Sequence, residues 1–167
     1  MADQGRTDPP LTADERATLA SFLQYHRDTL AMKCEGLTTE QLRERAVPPS
    51  TLSLLGLVRH MAEVERSWFR IRFNGEDISA HWIKGPNDDS EFEADEADPD
   101  EAFAIWHEEC ARSREIVDAA DSLDLTMRHR GENFSLRWIL VHMIEEYARH
   151  NGHADLLRER IDGATGE

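Results

Sequence analysis

Residues 142–153, HMIEEYARHNGH, place three imidazoles and two carboxylates within twelve consecutive positions. On a helix advancing about 100° per residue, His150 falls near the centre of an apolar stripe and Glu146 lies about 40° to one side. His142 and His153 lie about 80° and 60° from His150 on that same flank. A carboxylate and an imidazole four residues apart share one face and can ligate one cation. A second candidate donor is His60, at the edge of the stripe formed by Leu57, Met61 and Val64. If the two segments lie side by side, His60, Glu146 and His150 converge. Two neutral imidazoles and one carboxylate leave coordination positions open, and they suit Zn²⁺ first, with Ni²⁺ or Fe²⁺ as alternatives. The same pattern also fits a Glu–His ion pair or a carboxylate paired with Arg, because an unpaired buried carboxylate costs several kcal/mol.

Other reactive side chains read more plainly. Cys34 and Cys110 sit inside helical patterns and form no C-x-x-C motif, so they are expected as core thiols. His26 falls on an apolar stripe, as a hydrogen-bonded core residue or a lining of the metal cavity. Glu63 is a candidate acceptor behind a ligand histidine. His81 and Trp82 either cover the site or tie down the segment that carries them, and His107 and His129 are expected to be exposed.

Four long helices must position these groups. The first is expected from Thr12, with Glu15 completing a capping box, to Gly36, with Leu19, Phe22, Leu23, His26 and Leu30 inward. A short helical turn follows over 38–45, before Pro48-Pro49. The second long helix runs from Ser53 to Asn74-Gly75, with Leu57, Met61, Val64, Trp68 and Ile71 as its stripe. Periodicity then vanishes over 75–98, a long acidic connection; residues 88–101 hold nine acidic side chains and no basic one. Asp98-Pro99 opens the third helix, with Phe103, Trp106, Cys110 and Val117 inward. A polar turn, 121–134, precedes the fourth, from Ser135 to Gly163. No strand pattern is visible. These elements predict an all-α four-helix bundle with a long crossover between helices two and three.

Composition narrows the class further. The 167 residues suit one domain spanning 1–167, with a flexible N-terminus over 1–10. Thirty-four acidic residues against nineteen basic give a net charge of −15, which argues against nucleic acid and anionic membrane surfaces as partners. No apolar run reaches the roughly 20 residues of a membrane span, and the opening MADQGRTDPP lacks an apolar leader, so a cytoplasmic protein is expected.

The runs SLLGLVRHMAEVE and SLRWILVHMIEEYARHNGHADLLRERIDG resemble the DinB/YfiT-like superfamily over roughly residues 11–163. The similarity is to a branch of unknown function related to the metal-binding domain of mycothiol-dependent maleylpyruvate isomerase. The resemblance implies a metal between helices two and four. Many members hold it with one His on helix two and an H-x-x-x-H pair on helix four. Here the matching positions are His60, Glu146 and His150, a His/Glu/His set like that of the isomerase branch. The usual H-R-G-Q stands here as His150-Asn151-Gly152-His153, which leaves His153 open as a ligand or as a ligand's neighbour. The isomerase has a second domain that contributes to its active site, for which 167 residues leave no room, so its reaction is not carried over.

The resemblance also implies a low-molecular-weight thiol, mycothiol above all, used in S-transfer to small electrophilic substrates. The metal would acidify the thiol, the thiolate would attack the electrophile, and His153 or His142 would accept the proton as the catalytic bases. Two rivals are a non-catalytic metal- or ligand-binding regulatory module and a metal-assisted hydrolase. A homodimer is the expected assembly if there is one, through apolar patches such as those around Trp138 or Trp82.

Overall fold

Side-chain caps set most of the helix boundaries in the computed structural model, which describes residues 5–166. Helix α1 spans Glu15–Cys34, and Asp14 accepts from the Ala17 amide. The start therefore falls at Asp14 rather than at Thr12, because an aspartate one residue before the helix caps its orphan amides directly. Helix α2, Thr39–Arg43, carries a reciprocal capping box between Thr38 and Gln41. Helix α3, Leu54–Glu65, is capped by Ser53. Helix α4, Pro99–Ala119, starts at the Asp98-Pro99 pair. The 27-residue α5, Leu136–Asp162, is capped by Ser135 and ends on Gly163 at φ +78°, a left-handed position that glycine occupies without strain. Of the N-terminal segment 1–10, residues 1–4 lie outside the described residues. Arg6 donates to Thr29 Oγ1 at 3.0 Å, and its guanidinium sits 4.7 Å over the Tyr25 ring.

The fold is an all-α bundle. Helix α1 packs chiefly along α5 and α3 along α4, and α3 also lies against α5. One core joins them, with Trp106, Tyr147, Phe69 and a set of leucines fully buried. The stripes are partly redrawn. On α1, Phe22 is 43% exposed, and the inward positions are Leu23, Arg27, Leu30 and Cys34. After Glu65 the helix continues as a π-helical stretch over Arg66–Phe73, closed by the Asn74 amide on the Phe69 carbonyl at 2.9 Å. The change of pitch carries Phe69 and Phe73 into the core and leaves Val64, Trp68 and Ile71 half-buried.

The segment 121–134 is not all turn. Strands β1, Thr126–His129, and β2, Glu132–Ser135, form an antiparallel hairpin in which His129 faces Glu132 and Met127 faces Phe134. Its loop, Arg130-Gly131, has φ of +50° and +88°, the backbone of a tight two-residue turn whose twist matches the strands. Four-residue strands are too short to show an alternating pattern, and Arg-Gly is a weaker turn signal than Asn-Gly.

A polar network crosses the core. Arg27 of α1 donates twice to Glu65 of α3, Nε to Oε1 and a terminal nitrogen to Oε2, each at 2.8 Å. Tyr147 of α5 donates to Glu65 Oε1 at 2.8 Å, and the Trp106 indole of α4 donates to the Tyr147 oxygen at 2.9 Å. Cys110 Sγ lies 3.6 Å from Glu65 Oε1. All five side chains are buried. Changing Arg27 to Met strands the Glu65 carboxylate, and the unfolding free energy in urea is expected to fall by about 3–5 kcal/mol. Adding Glu65→Gln removes the stranded charge and is expected to restore a substantial part of the loss.

Candidate metal centre

Helices α3 and α5 run antiparallel. His60 meets His150, with ring centroids 4.7 Å apart, and eight residues further on, in the π-helical continuation of α3, Trp68 meets His142, also at 4.7 Å. In the seam between them, one ligand atom from each of His60, Glu146 and His150 lies within 4.8 Å of the other two. All three side chains are partly buried, so they remain reachable from solvent without being fully hydrated.

Each donor is held by a neighbour. His60 Nδ1 lies 3.2 Å from Glu91 Oε1, and its ring stacks on Phe92 at 4.6 Å. A neutral His60 therefore donates from Nδ1 to Glu91 and keeps its lone pair on Nε2. His150 Nε2 lies 3.6 Å from Glu146 Oε2, while its Nδ1 is 3.3 Å from His153 Nδ1. Only one ring of that last pair can donate; a proton on His150 Nδ1 leaves its Nε2 free toward the seam. His142 bridges two carboxylates, Nε2 to Glu146 Oε1 and Nδ1 to Glu145 Oε2, each at 3.3 Å.

The electrostatics separate the donors from their supports. Burial pushes the His60 pKa down to about 4, with the neighbouring His150 adding to the effect and Glu146 opposing it. The close approach of His150 holds the Glu146 carboxyl below its ordinary range, against the opposing effect of burial. Near neutral pH the seam thus presents a neutral imidazole and an ionised carboxylate, the protonation states a metal requires. Burial raises the pKa of Glu91 instead, and its Oε2 has no hydrogen-bond partner. Burial and the nearby His150 lower the pKa of His153. Glu146 makes no ion pair with Arg or Lys among the described residues; its neighbours are the His142 and His150 imidazoles. This donor set fits a divalent cation.

The structure thus brings His60, Glu146 and His150 together and puts His153 behind His150 and His142 beside Glu146. Glu63 does something other than support a ligand: it is buried and accepts from the Trp82 and Ile83 amides at 2.6 and 3.3 Å. The contact with His60 is made instead by Glu91, which lies in the acidic connection where no periodicity marked it. His81 and Trp82 tie the connection down. His81 Nε2 is 2.9 Å from Glu109 Oε1, and the Arg59 guanidinium sits 4.7 Å over the Trp82 ring. Glu109 is buried and also accepts from Arg66 at 2.6 Å and Arg70 at 3.0 Å. Burial would raise its pKa, but the His81 and Arg66 hydrogen bonds hold it low. His26 meets Asn151, whose amide donates to the His26 carbonyl at 3.0 Å. Cys34 and Cys110 are buried, and desolvation raises both thiols, Cys34 to about 12.

The all-α bundle is that of the DinB/YfiT-like superfamily. Within it, the family model for mycothiol-S-transferase matches residues 18–163, and the chain belongs to that family. No curated protein matches the chain.

Two measurements check the site. Equilibrium dialysis against Zn²⁺ is expected to load about one ion per chain, with loss in Glu146→Gln and His150→Ala, and a roughly 10–100-fold weaker site in His153→Ala. In chelator-treated protein, an unfolded His60 takes up a proton near pH 6.5 that the folded one refuses until about 4. Stability from this group is therefore complete above pH 6.5 and lost as pH falls toward about 4. The urea midpoint is expected to drop across that window, and less steeply in His60→Gln.

Proposed function

We propose that this chain is a metal-dependent S-transferase that joins mycothiol, or a closely similar low-molecular-weight thiol, to small electrophiles. Membership of the mycothiol-S-transferase family supports the thiol and the reaction class. The observation that carries the reading to particular residues is the convergence of His60, Glu146 and His150 in one seam.

His60, Glu146 and His150 would hold the ion. A divalent cation bound there supplies positive charge that acidifies a thiol brought to it. The remaining work falls to the chain. Glu91 and Phe92 fix the His60 ring, and Phe92 covers one of its faces. His142 lies against Glu146 Oε1 and His150 against Oε2, so the carboxylate is held between them. His153, its pKa lowered by burial and by the nearby His150, would be a neutral base near neutral pH and is the first candidate to receive the thiol proton. The sulfur lone pair forms the new S–C bond, and the leaving group departs with its bonding electron pair. His142, beside Glu146, is the second candidate for the proton. The same arrangement around the triad serves the two rivals, a binding module and a hydrolase using water as nucleophile.

Assays of Zn²⁺-loaded protein with mycothiol and monochlorobimane separate the three. The expected result is conjugate formation that requires both thiol and metal and disappears in Glu146→Gln and His150→Ala. In His153→Ala the rate is expected to fall by about 10²–10⁴-fold, the usual contribution of a general base, with metal content retained in part. Turnover without thiol would favour the hydrolase. Metal binding without any turnover would favour the module.

A further inference from the structure

A cavity of about 820 Å³ opens where the hairpin lies over the junction of the π-helical stretch and the start of α5. Its volume is within the range of about 300–1,000 Å³ common for small-molecule sites. One wall is aromatic. Trp68 meets Phe134 edge-on at 5.3 Å and Trp138 at 5.3 Å, and Trp138 is 47% exposed. The other wall is basic, formed by the guanidinium groups of Arg72 and Arg130 with the His129 imidazole.

Several arginines elsewhere are ion-paired, among them Arg27 with Glu65, Arg66 and Arg70 with Glu109, and Arg137 with Glu15 and Asp124, while Arg16, Arg43 and Arg59 donate to backbone carbonyls. Arg72 instead donates to the Ser67 hydroxyl and lies 4.4 Å over the Trp68 ring. Neither it, His129 nor Arg130 makes an ion pair with a carboxylate among the described residues, and Glu132, which also lines the cavity, pairs with none of them. Their charges act on one another: burial and then Arg130 lower the pKa of Arg72, and burial followed by Arg72 and Arg130 lowers that of His129. An anion placed among them would relieve that repulsion.

The cavity also borders the candidate metal centre. Trp138 stacks on His142 at 4.9 Å with the planes 15° apart, and His142 Nε2 is 3.3 Å from Glu146 Oε1. One side chain thus separates the aromatic wall from the triad.

We propose that this cavity binds the electrophilic substrate and selects flat aromatic molecules that carry an anionic group. The ring stacks on Trp68 and Trp138, and the carboxylate or sulfonate meets Arg72 and Arg130. The assignment of this occupant as the electrophile rests on the S-transferase reading; an uncharged sugar-type thiol would gain nothing from the cations.

Binding is tested directly by calorimetric titration of the protein as purified, without thiol. The probes are naphthalenesulfonate, its uncharged counterpart naphthalenemethanol, and cyclohexanesulfonate, which keeps the charge without the ring. Naphthalenesulfonate is expected to bind about tenfold or more tightly than either control, the worth of one charge-assisted hydrogen bond or one aromatic stack. Arg130→Asn keeps a residue that tolerates the left-handed backbone, and Arg72→Gln keeps the length of the side chain. Each is expected to weaken naphthalenesulfonate by about tenfold while leaving naphthalenemethanol unchanged. Equal affinity for the charged and uncharged rings, or no change in either variant, would overturn the proposal. Because no thiol is present, this result stands apart from the transfer assay: binding without transfer would remove the S-transferase reading alone, and transfer without selective binding would remove this one alone.

Discussion

The bidentate ion pair between Arg27 and Glu65 ties the four long helices into one register. Neither charge has water to fall back on, since Glu65 is fully buried and Arg27 nearly so. Desolvating two ions is tolerable only when every lone pair and N–H is met at good geometry. Glu65 therefore needs Arg27 from α1 and Tyr147 from α5, and Tyr147 in turn takes the indole hydrogen of Trp106 from α4. A shift of any one helix by a residue would leave a buried polar atom without its partner. Apolar packing alone would tolerate many more arrangements of leucines.

That constraint reaches the candidate metal centre through chain connectivity. Tyr147 follows Glu146 directly, and Glu65 lies five residues beyond His60 on the same continuous helical run. With Tyr147 fixed inward, Glu146 is rotated by about 100° out of the core and into the seam with α3. His150, one turn further, lands opposite His60 because the Glu65–Tyr147 bond sets the sliding position of α3 against α5. The π-helical stretch begins immediately after Glu65 and turns Trp68 toward Trp138 and His142. The triad and the aromatic wall are thus two consequences of one anchored helix pair.

The sequence made the donors legible because i, i+4 spacing is a local property: Glu146 and His150 share a face wherever the helix goes. It also revealed most helix ends, since Ser53, Asp98-Pro99, Ser135 and Gly163 act within a few residues of themselves. The network was hidden for the opposite reason. Arg27 and Glu65 look like ordinary surface charges until two segments 38 residues apart meet. Glu91 was hidden inside an acidic run that reads as solvated surface, and only the path of the connection brings it to His60. The π pitch after Glu65 left no compositional mark and displaced the stripe from Trp68 and Ile71 to Phe69 and Phe73. The hairpin was too short for alternation to register.

Glu146 and Glu91 show how one residue type serves two ends at a single site. Both are carboxylates within contact of a histidine of the triad, yet their pKa values move in opposite directions. Glu146 is flanked by His142 and His150 and is held ionised, ready to donate to a cation. Glu91 is more deeply buried and has one oxygen unpartnered; burial above all, then Asp89, Glu63 and Asp88, raises it, although Arg59 is also near. Only a neutral His60 leaves Nε2 with a free lone pair, and the bond from Nδ1 to Glu91 favours that tautomer while burial suppresses the doubly protonated ring. A carboxylate in place of a third imidazole also changes the charge balance: against a dication the set would leave one positive charge rather than two. The placement of Glu146, its partners and its charge state are therefore one design decision, made by the helix register that Glu65 and Tyr147 impose.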